Sequence, residues 1–404
     1  MAWTLLLCRG ASLRLGKGPN HMSCTQIPDL PLEEFGEVIL GKWLQNRVPI
    51  TGSVELDLRC NLRCLHCYRD GEWPAGILDT EEMKDVLDQI ADAGTLWLLL
   101  TGGEIFLRPD FFEIYEHAMK KGFLLNLFTN GTMLNEKIVD RLAKLPPSNI
   151  EITLYGYSEE TYEKVTGIPG SREKCYRGVD LLLERNLPLK LKTVVMKTNQ
   201  HDFMNMFEFA ESRGVSFKWD TQINPNLDSS LTPCNVRLTP QEAVNLEFSI
   251  PSRAAEYKKY YEERKTVRTS RLFACGAGSQ TFHIDPYGKM SMCILLRDRE
   301  YSLKEMSFKQ IWDEAFPPLY RKMRSPDHQC NSCDLITLCN KCPAWSHMEK
   351  GSLEGRVEYT CEVGHRRAQK LGHWDGPVDQ YTRTLNQAGS QILLPVLQPT
   401  GGCR

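Results

Sequence analysis

Between residues 54 and 219, short apolar runs alternate with amphipathic stretches, and this alternation limits the fold class more than any single residue does. Six runs read as strands: 54–58, 96–101, 124–129, 150–155, 189–196 and 215–219. Helical patterns at 80–93, 109–121, 135–145, 172–185 and 202–213 separate them, the first opened by an Asp79/Thr80 cap. Strands joined through helices pair in parallel, so the pattern predicts a parallel sheet with helices on its outer face. Six units fall short of the eight of a closed barrel.

Around this core the organisation changes. A helical lead-in at 32–45 precedes it, and residues 220–240, rich in Asn, Pro, Ser and Thr, read as a linker. A helical bridge at 240–265 leads into a cysteine-dense segment from Cys275 to Cys361. The expected divisions are therefore an extension and lead-in helix (1–49), the core (50–220), linker and bridge (221–270), the cysteine-rich domain (271–365) and a tail (366–404). At 404 residues the chain has room for two or three such domains. With 49 basic and 51 acidic residues its net charge is −2, so no global field recruits nucleic acid or an anionic membrane. No stretch approaches the ~20 apolar residues of a membrane span. Residues 1–28 hold no acid and one seven-residue apolar run, a weak targeting pattern, and Met22 is an alternative start. A cytoplasmic location is expected.

Ten of the fifteen cysteines fall into two compact spacings, which in a chain without an export signal argues for metal sites over disulfides. Cys60, Cys64 and Cys67 stand in C-x3-C-x2-C spacing directly after the first strand. Three soft ligands on one loop suit a cubane whose fourth iron is left open to chemistry. A zinc loop, with His66 too close in sequence to complete it, and unliganded buried cysteines are the alternatives. The second set runs Cys275, Cys293, then C-x2-C-x5-C-x2-C through Cys330, Cys333, Cys339 and Cys342, and ends at Cys361. A pair of zinc ribbons is its alternative. Between the sets, Gly102, Gly103 and Glu104 follow the second strand, Thr129, Asn130 and Gly131 end the third, and Tyr155 and Gly156 end the fourth. Glycines there let backbone approach a ligand, and the polar side chains could bind hydroxyls. Ordinary turns would account for each dipeptide alone.

The first spacing together with Gly102-Gly103-Glu104 resembles the radical S-adenosylmethionine (SAM) superfamily, and the seven later cysteines resemble its SPASM domain; the likeness covers residues 50–365. It implies an α/β fold, a (β/α)6 partial TIM barrel followed by a small cysteine-rich domain. It also implies a [4Fe–4S] cluster on Cys60, Cys64 and Cys67 that cleaves SAM to a 5′-deoxyadenosyl radical. SAM contacts carry over to His66, Gly102, Gly103, Glu104, Thr129, Asn130 and Tyr155. Two auxiliary [4Fe–4S] clusters are implied, one on Cys330, Cys333, Cys339 and Cys361, the other on Cys275, Cys293 and Cys342, with Cys234 the nearest spare fourth ligand. The acidic residue usual after the fourth strand is absent.

Relatives of this plan mostly modify peptides or proteins, so the expected activity is hydrogen abstraction from a peptide and its oxidative crosslinking. Sulfatase maturation is disfavoured because Ile294, not an aspartate, follows Cys293. Haem or tetrapyrrole modification needs a basic cluster in the pocket, which the sequence does not locate. An iron–sulfur electron carrier is the non-enzymatic alternative, and the Gly-Gly-Glu strand end counts against it. Expected partners are an electron donor such as flavodoxin or ferredoxin and, for a leader-bearing peptide, a separate recognition protein or else a different docking mode, because the roughly 50 residues before the first strand are too few for a full winged-helix recognition domain. The catalytic residue that handles substrate is not assigned.

Overall fold

The computed structural model describes residues 41, 43, 45–69, 75–266, 269–376 and 378, and the backbone of 381–385 and 391–395. The first 48 residues are a unit of their own. Of the expected lead-in helix, residues 41, 43 and 45 are helical and the remainder lies outside the described residues, as do the targeting pattern and Met22.

From residue 49 onward the predicted alternation is present. The strands are β1 (Thr51–Glu55), β2 (Trp97–Thr101), β3 (Leu124–Thr129), β4 (Asn149–Thr153), β5 (Leu189–Val194) and β6 (Ser216–Asp220). Between them run α1 (Thr80–Asp92), α2 (Phe111–Lys120), α3 (Glu136–Lys144), α4 (Glu159–Thr166), α5 (Ser171–Glu184) and α6 (Phe203–Ser212). All six strands pair in parallel in sequence order. Local signals set the helix starts: Asp79 and Glu82 form a reciprocal capping box on α1, and Asn135 and Ser158 cap α3 and α4. The α4 helix was not foreseen, because its eight residues show too little apolar periodicity.

Two further differences have plain causes. The bridge expected as one helix is two, α7 (Pro240–Ser249) and α8 (Pro251–Arg264), because Pro251 forces Ile250 into extended geometry (φ −98°, ψ 109°). The cysteine-rich segment also contributes strands: β7 (Thr281–Ile284), β8 (Lys289–Ser291) and β9 (Tyr301–Ser302). β7 pairs in parallel with β1, so one nine-stranded sheet runs β6-β5-β4-β3-β2-β1-β7-β8-β9 across the expected domain boundary. Gly52 makes this docking possible, since a Cβ there would overlap the Phe282 ring at 2.1 Å. The last helices are α9 (Ile336–Cys339), α10 (Pro343–Lys350) and α11 (Glu358–Lys370), and residues 381–385 and 391–395 form an antiparallel ribbon.

The two faces of the sheet differ. Val54, Leu98, Leu100, Leu125, Leu127, Ile150, Ile152 and Leu191 are all fully buried and pack against Met83, Leu87, Ile90, Ile114, Val139, Leu142, Val179 and Leu182 of the helices. Burying such side chains contributes about 1.5–3 kcal/mol each, which makes this the principal core. The alternate residues on the opposite face are largely polar.

Candidate active site and cysteine clusters

β1 leads through residues 56–59 into the loop bearing Cys60, Cys64 and Cys67, and main-chain hydrogen bonds hold that exit. Gly103 and Glu104 N–H donate to the carbonyls of Asp57 and Arg59 (2.9 and 2.8 Å), and Leu56 N–H donates to that of Thr101 (2.8 Å). Only glycine permits this approach. A Cβ on Gly103 would stand 2.1 Å from the Arg59 oxygen, and one on Gly102, whose φ is +154°, 2.3 Å from that of Asp57. From the other side, Arg63 and Leu65 N–H donate to Thr166 and Val165 at the end of α4 (2.8 and 3.0 Å).

The three thiols lie within electrostatic reach of one another. Burial and the neighbouring sulfurs push Cys60 and Cys64 above the ordinary thiol range, although Leu62 N–H (3.4 Å) and Asn130 Nδ2 (3.7 Å) reach Cys60 and the Tyr155 hydroxyl reaches Cys64. Thiols raised in this way need a bound cation to become thiolates, which fits a metal centre. His66 leans on Tyr155 with centroids 5.5 Å apart, and burial lowers its pKa to about 4. Its buried Nδ1 has no hydrogen-bond partner, a vacancy that a polar group of a ligand would fill.

Gly102, Gly103, Glu104, Thr129 and Asn130 are brought together beside this loop, with Glu104 turned inward. Its fully buried carboxylate accepts from the Thr129 hydroxyl (2.8 and 2.9 Å), Asn130 N–H (2.8 Å) and Phe106 N–H (3.2 Å), which ties the ends of β2 and β3. Desolvation raises its pKa despite these bonds. Asn130 passes the connection on through Asn61 Oδ1 (2.9 Å).

The seven later cysteines separate in space. Cys275, Cys293 and Cys342 influence one another, Cys293 being pushed up to about 12 first by burial and then by Cys342; the N–H groups of Ala344 and Trp345 opening α10 offset the rise at Cys342. Cys330, Cys339 and Cys361 form another group, and Cys333 packs against the apolar cluster of Tyr261, Leu335, Leu338 and Ala368. Gly364 of α11 lets the Cys339 turn come close, since a Cβ there would lie 2.7 Å from the Cys339 Cβ. Cys361 differs from its companions. Burial would raise it, but His365 and Arg356 (Nη2 3.5 Å from the sulfur) outweigh burial and lower it. Cys234 is buried, and its sulfur accepts from Arg237 (2.9 Å), which Glu349 and the Ile223 carbonyl hold in turn.

The polar face of the sheet holds functional candidates that sequence reading missed. Register places Glu55, Thr101, Phe128, Glu151 and Lys190 at one level, and Asn130, Thr153, Lys192 and Lys218 at the next, toward the strands' C-terminal ends. Lys192 and Lys218 contact Glu151 (3.6 and 2.9 Å), and the Lys192 ammonium lies 2.9 Å from the Phe128 ring centroid. Desolvation lowers Lys192 to about 8 against the pull of Glu151. A basic cluster therefore exists where none was located in the sequence. Its signal was the period-two pattern of NIEIT, LKLK and SFKWD, in which every second residue is polar. Beside the cysteine loop, buried Glu55 stays ionised against its burial because His283, Arg297 (2.8 Å) and Arg69 (3.5 Å) surround it.

Residues 55–210 match the family model of the radical SAM superfamily, and residues 275–343 that of the SPASM iron–sulfur cluster-binding domain. The AdoMet-dependent heme synthase of Methanosarcina barkeri is 27% identical over 74% of this chain and 92% of its own length. PqqA peptide cyclase of Granulibacter bethesdensis is 29% identical over 71% and 80%, and mycofactocin maturase MftC of Mycobacterium ulcerans 26% over 72% and 82%. Among solved structures, Streptococcus suis SuiB bound to precursor peptide SuiA superposes with a TM-score of 0.65 at 16% identity, covering 85% of this chain and 84% of SuiB. Native anSMEcpe with bound AdoMet gives 0.62 at 14%, covering 80% and 98%.

Proposed function

The chain is a radical SAM enzyme with a C-terminal SPASM domain, and from that premise we propose that it abstracts hydrogen from a peptide or protein and oxidises it, closing a crosslink. The observation that carries the reading is the clamped loop of Cys60, Cys64 and Cys67 beside the unpartnered Nδ1 of His66. Cys60, Cys64 and Cys67 would hold a [4Fe–4S] cluster whose open iron takes SAM, and this pair supplies the 5′-deoxyadenosyl radical. Gly102 and Gly103 fix the loop against β2, Glu104 locks Thr129 and Asn130 behind it, and Tyr155 and His66 would lie beside the bound SAM. Cys330, Cys333, Cys339 and Cys361 would hold one auxiliary cluster, and Cys275, Cys293 and Cys342 three corners of the other. Peptide modification is the activity named for PqqA cyclase, and SuiB is seen with a precursor peptide. A low-potential carrier of the flavodoxin or ferredoxin kind would supply the electron for SAM cleavage, and a separate protein would present the peptide's leader.

One observation favours a second substrate. Lys190, Lys192 and Lys218 suit a carboxylate-bearing tetrapyrrole, and a relative is named a heme synthase. Mass spectrometry of peptides encoded beside the gene, co-expressed with the enzyme, separates the two. A product lighter by two hydrogens, with deuterium from the labelled position appearing in 5′-deoxyadenosine, supports the peptide. Unmodified peptides together with loss of carbon dioxide from a tetrapyrrole support the second reading.

A further inference from the structure

The Lys192 side chain reaches past its own neighbours. Register sets Lys192 of β5 between Thr153 of β4 and Lys218 of β6, yet its ammonium stands 2.9 Å from the centroid of the Phe128 ring on β3, the strand whose end carries Asn130. Asn130 Nδ2 in turn lies 3.7 Å from the Cys60 sulfur. The carboxylates of these strands and their ends are engaged elsewhere. Glu104 accepts from Thr129, Asn130 and Phe106, Glu55 faces Arg297 and Arg69, and Asp220 accepts from Gln222 N–H (2.9 Å). Glu151 gives its shorter contacts to Lys218 (2.9 Å) and Asn149 (3.3 Å) and stands 3.6 Å from Lys192. The charged groups that face Lys192 are thus Glu151 of β4 and Lys218 and Asp220 of β6, with Arg253 of α8 acting on Asp220. Burial favours the free amine and, with Lys218, prevails over Glu151 and Asp220, which brings the group to about 8 while 23% of its side chain stays exposed. A lysine so tuned exchanges a proton near neutral pH.

We propose that Lys192 is the proton acceptor of the reaction, taking the proton released when the substrate's crosslink closes. This rests on the peptide reading above. Once a hydrogen atom has left for the adenosyl radical, the peptide holds a carbon radical. A neighbouring nucleophile X–H bonds to that carbon as its X–H bond breaks, the proton passes to the Lys192 amine, and the surplus electron passes to an iron–sulfur acceptor of the second cysteine set. Substrate and product then differ by two hydrogens, one removed as an atom and one as a proton and an electron. The exposed part of the Lys192 side chain gives the proton up to water.

Two measurements test this. Wild-type protein without substrate, labelled competitively with trace acetic anhydride over a range of pH and read by mass spectrometry, should show Lys192 reacting with a midpoint of about 8, below the ~10.4 of an unperturbed lysine. A midpoint at the unperturbed value would overturn the proposal. The second measurement uses the peptide encoded beside the gene, deuterated at the residue that loses hydrogen, and compares product formed with deuterium gained by 5′-deoxyadenosine. In wild type this ratio should rise with pH through about 8. In Lys192→Met and Lys192→Arg it should fall about a hundredfold and lose that pH dependence, because neither side chain accepts a proton there, and the peptide should be recovered with a solvent hydrogen in place of deuterium. A ratio that Lys192→Arg restores would mean that Lys192 supplies charge and not proton transfer, which sinks the role. Should wild type itself put no deuterium into 5′-deoxyadenosine, the peptide reading fails and the proposal with it, while the labelling midpoint still reports the amine.

Discussion

The loop of Cys60, Cys64 and Cys67 and the group of Cys330, Cys339 and Cys361 are stabilised by different means. The first is eight residues long and is clamped by main-chain hydrogen bonds to Thr101, Gly103, Glu104 and the end of α4, with Asn61 bonded to Asn130 and Thr132. The second spans more than thirty residues and depends on packing between α9 and α11, where Gly364 admits Cys339. Their electrostatics differ as well, a buried carboxylate facing Cys60 and two cationic side chains facing Cys361. On the assignment proposed above, the short clamped loop is the one that would hold the SAM-cleaving cluster.

The largest expected effect tests whether the loop alone carries SAM cleavage. The combined Cys60→Ala, Cys64→Ala, Cys67→Ala variant should yield no 5′-deoxyadenosine while keeping the iron of the other groups. Cleavage that survives in this protein would refute the assignment. Conversely, Cys330→Ala should leave cleavage intact and lower the iron content from the about twelve atoms of three cubanes, measured by iron analysis. Zinc in place of iron after anaerobic purification would favour ribbons.

The main-chain clamp is tested by Gly103→Ala. The added methyl must displace the Arg59 carbonyl, so a stability loss of about 1–3 kcal/mol is expected by denaturant melt, with iron lost from the first loop before the others. Unchanged stability and iron would mean that the clamp is not tight. The smallest effect concerns the polar face of the sheet. Folding lowers the Lys192 pKa to about 8 from an unfolded value of about 10.4, so between these pH values the unfolded state binds more protons and stability attributable to Lys192 rises with pH. The melting temperature of wild type should therefore gain on that of Lys192→Met between pH 8 and 10, and a constant difference would rule this out.

The order of strands and helices from residue 54 to 219 was legible because each element buries one apolar face, and burial leaves a period in the sequence. The cysteine spacings were legible too, since a cluster's ligands must recur at short, fixed intervals. The nine-stranded sheet was not, because the pairing of β7 with β1 is a contact 230 residues apart in the chain, for which local pattern gives no signal. Nor was the lysine group visible, since Lys190, Lys192 and Lys218 meet only when β5 lies beside β6 in register. The inward turn of Glu104 and the cations on Cys361 belong to the same class. Sequence alone determined which residues can ligate and which faces must be buried, because those depend on residue type and spacing. Tertiary structure decided which charge faces which sulfur, because electrostatic effects depend on distances that only the packed chain sets.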